Sequence, residues 1–123
     1  MKILTVDDSM TARLIVKRTL EPDGHEMLEA QDGAAALTML EKHHPVDLVV
    51  LDWNMPVMNG FECLQAIRQN AQYKDVKIVM CTTEAEKARV MEAIKAGANG
   101  YVLKPVDQAK LKDQVAKACG VKS

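Results

Sequence analysis

The run Asp47 to Pro56, Asp-Leu-Val-Val-Leu-Asp-Trp-Asn-Met-Pro, constrains the fold of this chain more than any other stretch. It is continuously apolar, with no polar alternation, and it stops abruptly at a carboxylate. A strand buried on both faces reads this way, and Pro56 with Asn59-Gly60 then breaks it. Asp52 is thereby expected at the carboxyl end of a central strand. In an open parallel α/β sheet that edge, where the strand order reverses, is where ligands bind.

The rest of the chain supplies the partners such a strand needs. Ile3 to Val6 reads as a first strand, and Ser9 as the cap of a helix whose apolar face is Ala12, Ile15, Val16, Thr19 and Leu20. Pro22-Asp23-Gly24 ends that unit. Met27 to Ala30 is a short second strand, and a helix from about Gly33 to Glu41 follows it. A third helix, Phe61 to Gln69, presents Phe61, Leu64 and Ile67, and Val76 to Cys81 is a fourth strand. The spacing then predicts a helix over Ala85 to Ala96 with Ala88, Met91 and Ile94 inward and Gly97 as its stop. Tyr101 to Leu103 is a fifth strand. Asp107 caps a last helix facing inward with Leu111, Val115 and Ala118. Strands alternating with helices in this way predict a single doubly wound, flavodoxin-like α/β domain. It has five parallel strands and five helices, with right-handed crossovers covering both sheet faces.

Composition narrows the setting. The 123 residues suit one domain, expected over 1–123 without an output domain, and 48% hydrophobic with 27% charged residues is ordinary for a globular protein. A net charge of −1 advertises no nucleic-acid partner, and no apolar run is long enough to span a bilayer. A cytoplasmic monomer without membrane contact is the expectation. Cys63, Cys81 and Cys119 are odd in number and widely spaced, which predicts core thiols rather than disulfides or a zinc site.

If the first and third strands are neighbours, Asp7 and Asp8 reach the same crevice as Asp52. Two unit charges about 5 Å apart at an effective dielectric of ~20 repel by roughly 3 kcal/mol, so three carboxylates call for a cation. An all-oxygen donor set favours Mg²⁺, or Mn²⁺, over zinc. Mg²⁺ keeps waters and meets phosphate oxygens, so the crevice looks built for a phosphoryl group. Lys104 and Thr82, both at strand ends, are candidates to hold that group. Each residue alone has a plainer reading. Asp7 and Asp8 could serve a helix start, Lys104 and Glu84 could be solvated charges, and Tyr101 a half-buried strand aromatic. Joint placement at one sheet edge favours the site.

Five fragments carry a resemblance: Val6-Asp7-Asp8; Leu51 to Pro56 with Asn59-Gly60; Cys81-Thr82-Thr83-Glu84-Ala85; Ala96 to Tyr101; and Lys104-Pro105. In this order they resemble the receiver domains of two-component response regulators, most closely the stand-alone chemotaxis receivers. The resemblance implies the sheet order 2-1-3-4-5 and Asp52 as acceptor of a phosphoryl group from a sensor histidine kinase or acetyl phosphate. It further implies metal binding by Asp7, Asp8, Asp52 and the Asn54 carbonyl, phosphoryl binding by Lys104, and a cis Lys104-Pro105 bond. Thr82 and Tyr101 would form the switch, and Asn54 with Glu84 would tune dephosphorylation. A downstream target would meet the face of the fourth helix, fifth strand and fifth helix, at Lys87, Val90 and Tyr101. Such a protein is a signalling module that catalyses its own phosphotransfer and dephosphorylation rather than an enzyme acting on other molecules. Thr83 departs from the small residue more usual in the family at its position. A flavodoxin-type electron carrier, an aspartyl phosphohydrolase and an unphosphorylated receiver-like scaffold are the alternatives. Asp7-Asp8 would repel a flavin phosphate, position 54 lacks the second acid of a hydrolase, and the complete acid set argues against the scaffold.

Overall fold

The computed structural model describes residues 1–120, so the reading of the chain's end at Ser123 lies outside the described residues. The elements are β1 (Lys2–Val6), α1 (Met10–Leu20), β2 (Glu26–Ala30), α2 (Gly33–Lys42), β3 (Leu48–Asp52), α3 (Gly60–Gln69), β4 (Lys77–Thr82), α4 (Val90–Ala96), β5 (Gly100–Leu103) and α5 (Gln108–Cys119). All strand pairs are parallel, in the order β2-β1-β3-β4-β5. Every β3 side chain is buried, as its unbroken apolar run requires.

Alternation along the strands divides the interior into two layers. Leu4, Val6, Val49, Leu51, Ile78 and Met80 pack with Leu40, Leu64, Ile67 and Ala93 of α2, α3 and α4. Ile3, Leu48, Val50, Val79 and Val102 pack with Val16 and Leu20 of α1 and Leu111 and Val115 of α5. Caps fall where side-chain chemistry puts them. Ser9, Asp32, Asn59 and Asp107 each accept a backbone N–H of the first turn of α1, α2, α3 and α5, and Asn59 with Glu62 forms a full capping box. Gly97 ends α4 at φ 115, a conformation that favours glycine. The three cysteines are free thiols, with Cys63 and Cys81 buried and Cys119 half-buried. Burial pushes the Cys63 and Cys81 thiols up to about 12.

The α4 region corrects the sequence reading. The α-helix begins at Val90, five residues later than expected, after a turn and a single 3-10 turn over Lys87–Arg89. Val90 and Ala93 are its buried residues, whereas Met91 and Ile94 are exposed, as is Ala88. Tighter winding before the helix rotates its inward stripe by about one residue. Val90 is therefore a packing residue at 7% exposure, and Met91 and Ile94 take its place on the outer face with Lys87.

Candidate functional site

The parallel register builds the site. Val6 pairs with Leu51, so Asp7 and Asp52, each the next residue along, leave the sheet level with one another. The ladder continues past β3 and β5 and fixes the residues beyond their ends. The Trp53 N–H donates to the Cys81 carbonyl at 3.0 Å, and the Lys104 N–H to the Thr82 carbonyl at 2.7 Å. Gly60 closes the loop after β3, its N–H donating to the Trp53 carbonyl at 2.8 Å. A Cβ at Gly60 would collide with the Asp52 carbonyl oxygen. In the same loop Val57 holds φ 69, a left-handed conformation that β-branched residues seldom adopt.

Asp7, Asp8 and Asp52 each offer a carboxylate oxygen, and these atoms lie within 4.8 Å of one another. Asp7 and Asp52 are buried and Asp8 is exposed. The Lys104 ammonium reaches Asp7 and Asp52 at 2.8 Å each. Burial pushes the Asp52 carboxyl up to about 6, against the hydrogen bond from Lys104, and the charges on Asp7 and Asp8 add to the rise. Burial alone would pull the Lys104 ammonium down, but its hydrogen bonds to Asp52 and Asp7 outweigh that and hold it above ordinary lysine. Ser9 donates its backbone N–H to Asp7 at 2.9 Å, and Ser9 itself caps α1. Asp7 is thus aimed at the crevice rather than spent as the helix cap.

A clustered all-oxygen donor set with one acid open to solvent fits a hard divalent cation that keeps part of its water. Asp7, Asp8 and Asp52 are the side chains that would hold it. Beside them, Thr82 is fully buried and its hydroxyl has no hydrogen-bond partner among the described residues. An orphaned buried hydroxyl is costly and points to a missing acceptor. Tyr101 is half-buried against the α2-α3-α4 layer, and Lys104-Pro105 is cis, as the resemblance implied.

Comparison with known proteins decides the family. The model of the response regulator receiver domain matches residues 3–116. The chain belongs to this family. A CheY homolog of Campylobacter jejuni, described as a chemotaxis protein, is 44% identical over 100% of this chain and 95% of its own length. Chemotaxis protein CheY-3 of Vibrio cholerae is 46% identical over 95% of this chain and 90% of its own. Among solved structures, chemotaxis response regulator CheY4 of Vibrio cholerae superposes with a TM-score of 0.87 at 38% identity, covering 95% of this chain and 97% of that one. Receiver domains of this kind bind Mg²⁺ at an acidic pocket, take phosphoryl groups from histidine kinases and bind downstream targets. No described helix is long and apolar enough to cross a membrane.

One contact at the site is not visible in the sequence pattern. Glu84, which the resemblance pairs with Asn54 in tuning dephosphorylation, lies exposed on the loop after β4. The Glu86 carboxylate accepts the Asn54 side-chain amide, while its other oxygen accepts the Thr83 N–H at 2.9 Å. Only its Thr83 half carries a sequence signal, since Thr83-Glu84-Ala85-Glu86 has the spacing with which a capping-box acid reaches back to a backbone N–H. Arg89 is a second residue that sequence reasoning misses. Its guanidinium lies 5.1 Å from the Trp53 ring centre and 5.5 Å from that of Phe61.

Proposed function

We propose that this receiver works as a single-domain response regulator that accepts a phosphoryl group on Asp52 and thereby changes the surface it offers to a target. The observation that carries the reading is the combination at one sheet edge of buried Asp52, Lys104 bridging Asp52 and Asp7 at 2.8 Å, and the orphaned Thr82 hydroxyl. An Asp52 carboxylate oxygen attacks the phosphorus of a phosphohistidine. The P–N bond breaks as the P–O bond forms, the electron pair leaves with the imidazole, and an acyl phosphate remains. Hydrolysis by water later restores the carboxylate and releases phosphate.

Mg²⁺, or Mn²⁺, bound by Asp7, Asp8, Asp52 and the Asn54 carbonyl would neutralise charge on the transferring group. The protein's own residues position the rest. Lys104 moves from pairing two acids to holding phosphoryl oxygens. The Thr82 hydroxyl gains the acceptor it lacks, and its inward shift frees space beneath α4 for the Tyr101 ring. Lys87, Met91 and Ile94, together with Tyr101, then make up the face a target meets. The chemotaxis proteins among its relatives support a chemotactic pathway. In this reading the donor is a cytoplasmic histidine kinase and the receiver acts as a monomer.

The test is incubation with acetyl phosphate, with and without Mg²⁺, read by intact mass. Wild type should gain one phosphoryl mass only with Mg²⁺, and Asp52→Asn should gain none. Labelling of Asp52→Asn, or none in wild type with Mg²⁺, would sink the reading.

A further inference from the structure

The Glu86 carboxylate ties together two segments that leave the sheet on either side of the phosphoryl site. Its bond to the Thr83 N–H, at 2.9 Å, is what a capping turn would make by itself. Its bond to the Asn54 amide is not required by any turn, because Asn54 follows β3, two residues past Asp52 and 32 residues away in the chain. Arg89 reaches the same exit, lying over the Trp53 and Phe61 rings. Little else secures this segment, since Glu84, Ala85, Lys87, Ala88 and Arg89 are all exposed. Polar tethers, not buried apolar area, hold it in place, which is how a segment of low local stability is built.

We propose that Glu86 is a positioning residue that competes with the phosphoryl group: in the unphosphorylated protein its carboxylate occupies the Asn54 amide and the Thr83 N–H, and its release is part of the switching step. The proposal rests on Asp52 being the phosphoacceptor. A phosphoryl group on Asp52 brings anionic acceptor oxygens to the mouth of the site, next to Thr82, whose hydroxyl has no acceptor. The Thr83 N–H, one residue further, has one hydrogen to give and Glu86 already holds it. Like charges at short range also repel, so the incoming group weakens the Glu86 tether by competition and by charge together. Releasing Glu86 loosens the segment from which Arg89 reaches Trp53. Trp53 is 3% exposed and stacked on Phe61 at 5.7 Å, so it responds to the phosphoryl site through this contact.

The test is a titration with beryllofluoride, a phosphoryl mimic, at fixed Mg²⁺, read by Trp53 fluorescence. The proteins are wild type, Glu86→Ala, Glu86→Gln, Asn54→Ala and the Asn54→Ala/Glu86→Ala double variant. Glu86→Ala should bind about 5- to 30-fold more tightly than wild type, the loss of roughly one charge-assisted hydrogen bond to the resting state. Glu86→Gln, which keeps an acceptor for Thr83 but not the charge, should fall between them, and it carries the comparison if Glu86→Ala does not fold. In the Asn54→Ala background the same change should gain only about 2- to 5-fold, because half of the tether is already gone. A full gain in that background would mean that only a nearby charge had been removed, and would overturn competition through Asn54. Unchanged or weaker binding by both Glu86 variants would overturn the proposal while leaving Asp52 as acceptor intact. Failure of wild type to respond to beryllofluoride or to take up acetyl phosphate would instead remove the phosphoacceptor reading itself.

Discussion

The acid pocket and the β4–α4 segment border the same sheet edge but are built in opposite ways. Asp7, Asp52 and Lys104 sit at the ends of strands whose ladder continues past them, and β3 is buried along its whole length. Their positions are set by the sheet, so the charged groups of the pocket are preorganised, as the proposed phosphoryl transfer would require. The segment from Thr83 to Ala96 holds a single 3-10 turn and a seven-residue α-helix, with Val90 and Ala93 as the helix's buried side chains. Its tethers are polar: Glu86 and Arg89 before the helix, and Arg68 after it. The Arg68 guanidinium donates to the Gly97, Tyr73 and Val76 carbonyls at 3.0, 3.1 and 2.7 Å and to the Asn99 side chain at 3.2 Å. Chemistry requires one fixed geometry, whereas a switch requires two states separated by little free energy. Under the proposed function the chain would meet both needs by placing a rigid strand end against a loosely tethered short helix.

The contrast can be broken from the pocket side most severely at Gly60. Gly60→Ala would drive a methyl group into the Asp52 carbonyl oxygen and the Trp53 backbone, and backbone there has nowhere to go. We expect a loss of about 3 kcal/mol in urea unfolding, at the upper end for overpacking, together with weaker labelling by acetyl phosphate. A neutral outcome would show that the loop after β3 is as pliant as the segment it faces.

A second expectation sharpens the electrostatic half of the comparison. The Asp52 carboxyl stands at about 6 in the fold against 3.8 in its ordinary state, so the folded protein holds a proton that the unfolded chain has lost. Stability from this group therefore falls as pH rises from 3.8 through about 6. Without metal, Asp52→Asn should match wild type at the acid end and exceed it above pH 6, by at most about 3 kcal/mol. Mg²⁺ at one hundred times its dissociation constant should then restore about 2.7 kcal/mol to wild type, and less to the variant. Unfolding curves across pH, with and without Mg²⁺, read this directly. A wild type that gains stability with pH through this window would show that Lys104 more than offsets burial.

The smallest effects lie on α4. Val90→Ala should cost about 1 to 2 kcal/mol because it leaves a void against the sheet, while Met91→Ala should stay within about 0.5 kcal/mol. Equal losses at the two positions would mean that the helix rotates in solution towards the face expected from its sequence periodicity.

Those α4 side chains also show where sequence reasoning stops. Strand ends are legible: β3 declares itself by an apolar run too long for a half-exposed strand, and Asp52, Thr82 and Lys104 fall at the ends of such runs. Caps are legible as well, since Ser9, Asp107 and Gly97 act through their own nearest turns. The inward face of α4 is not, because a helical period can be assigned only once the first helical residue is known. In Thr83-Glu84-Ala85-Glu86-Lys87-Ala88-Arg89 nothing local separates an α-helical start from a turn followed by a 3-10 turn.

By itself the sequence determined the alternation of buried strands and amphipathic helices, the caps, and the residue types that leave the sheet at its carboxyl edge. Each of these arises from interactions within a few residues or from burial on both faces of a strand. Only the tertiary structure decided that Glu86 meets Asn54, that Arg89 covers Trp53, and that Val90 is inside while Met91 is out. Those contacts join segments roughly thirty or more residues apart, or depend on how a short helix settles on the sheet. Contacts of that kind are chosen by packing and by the competition for hydrogen-bond donors, neither of which local sequence specifies.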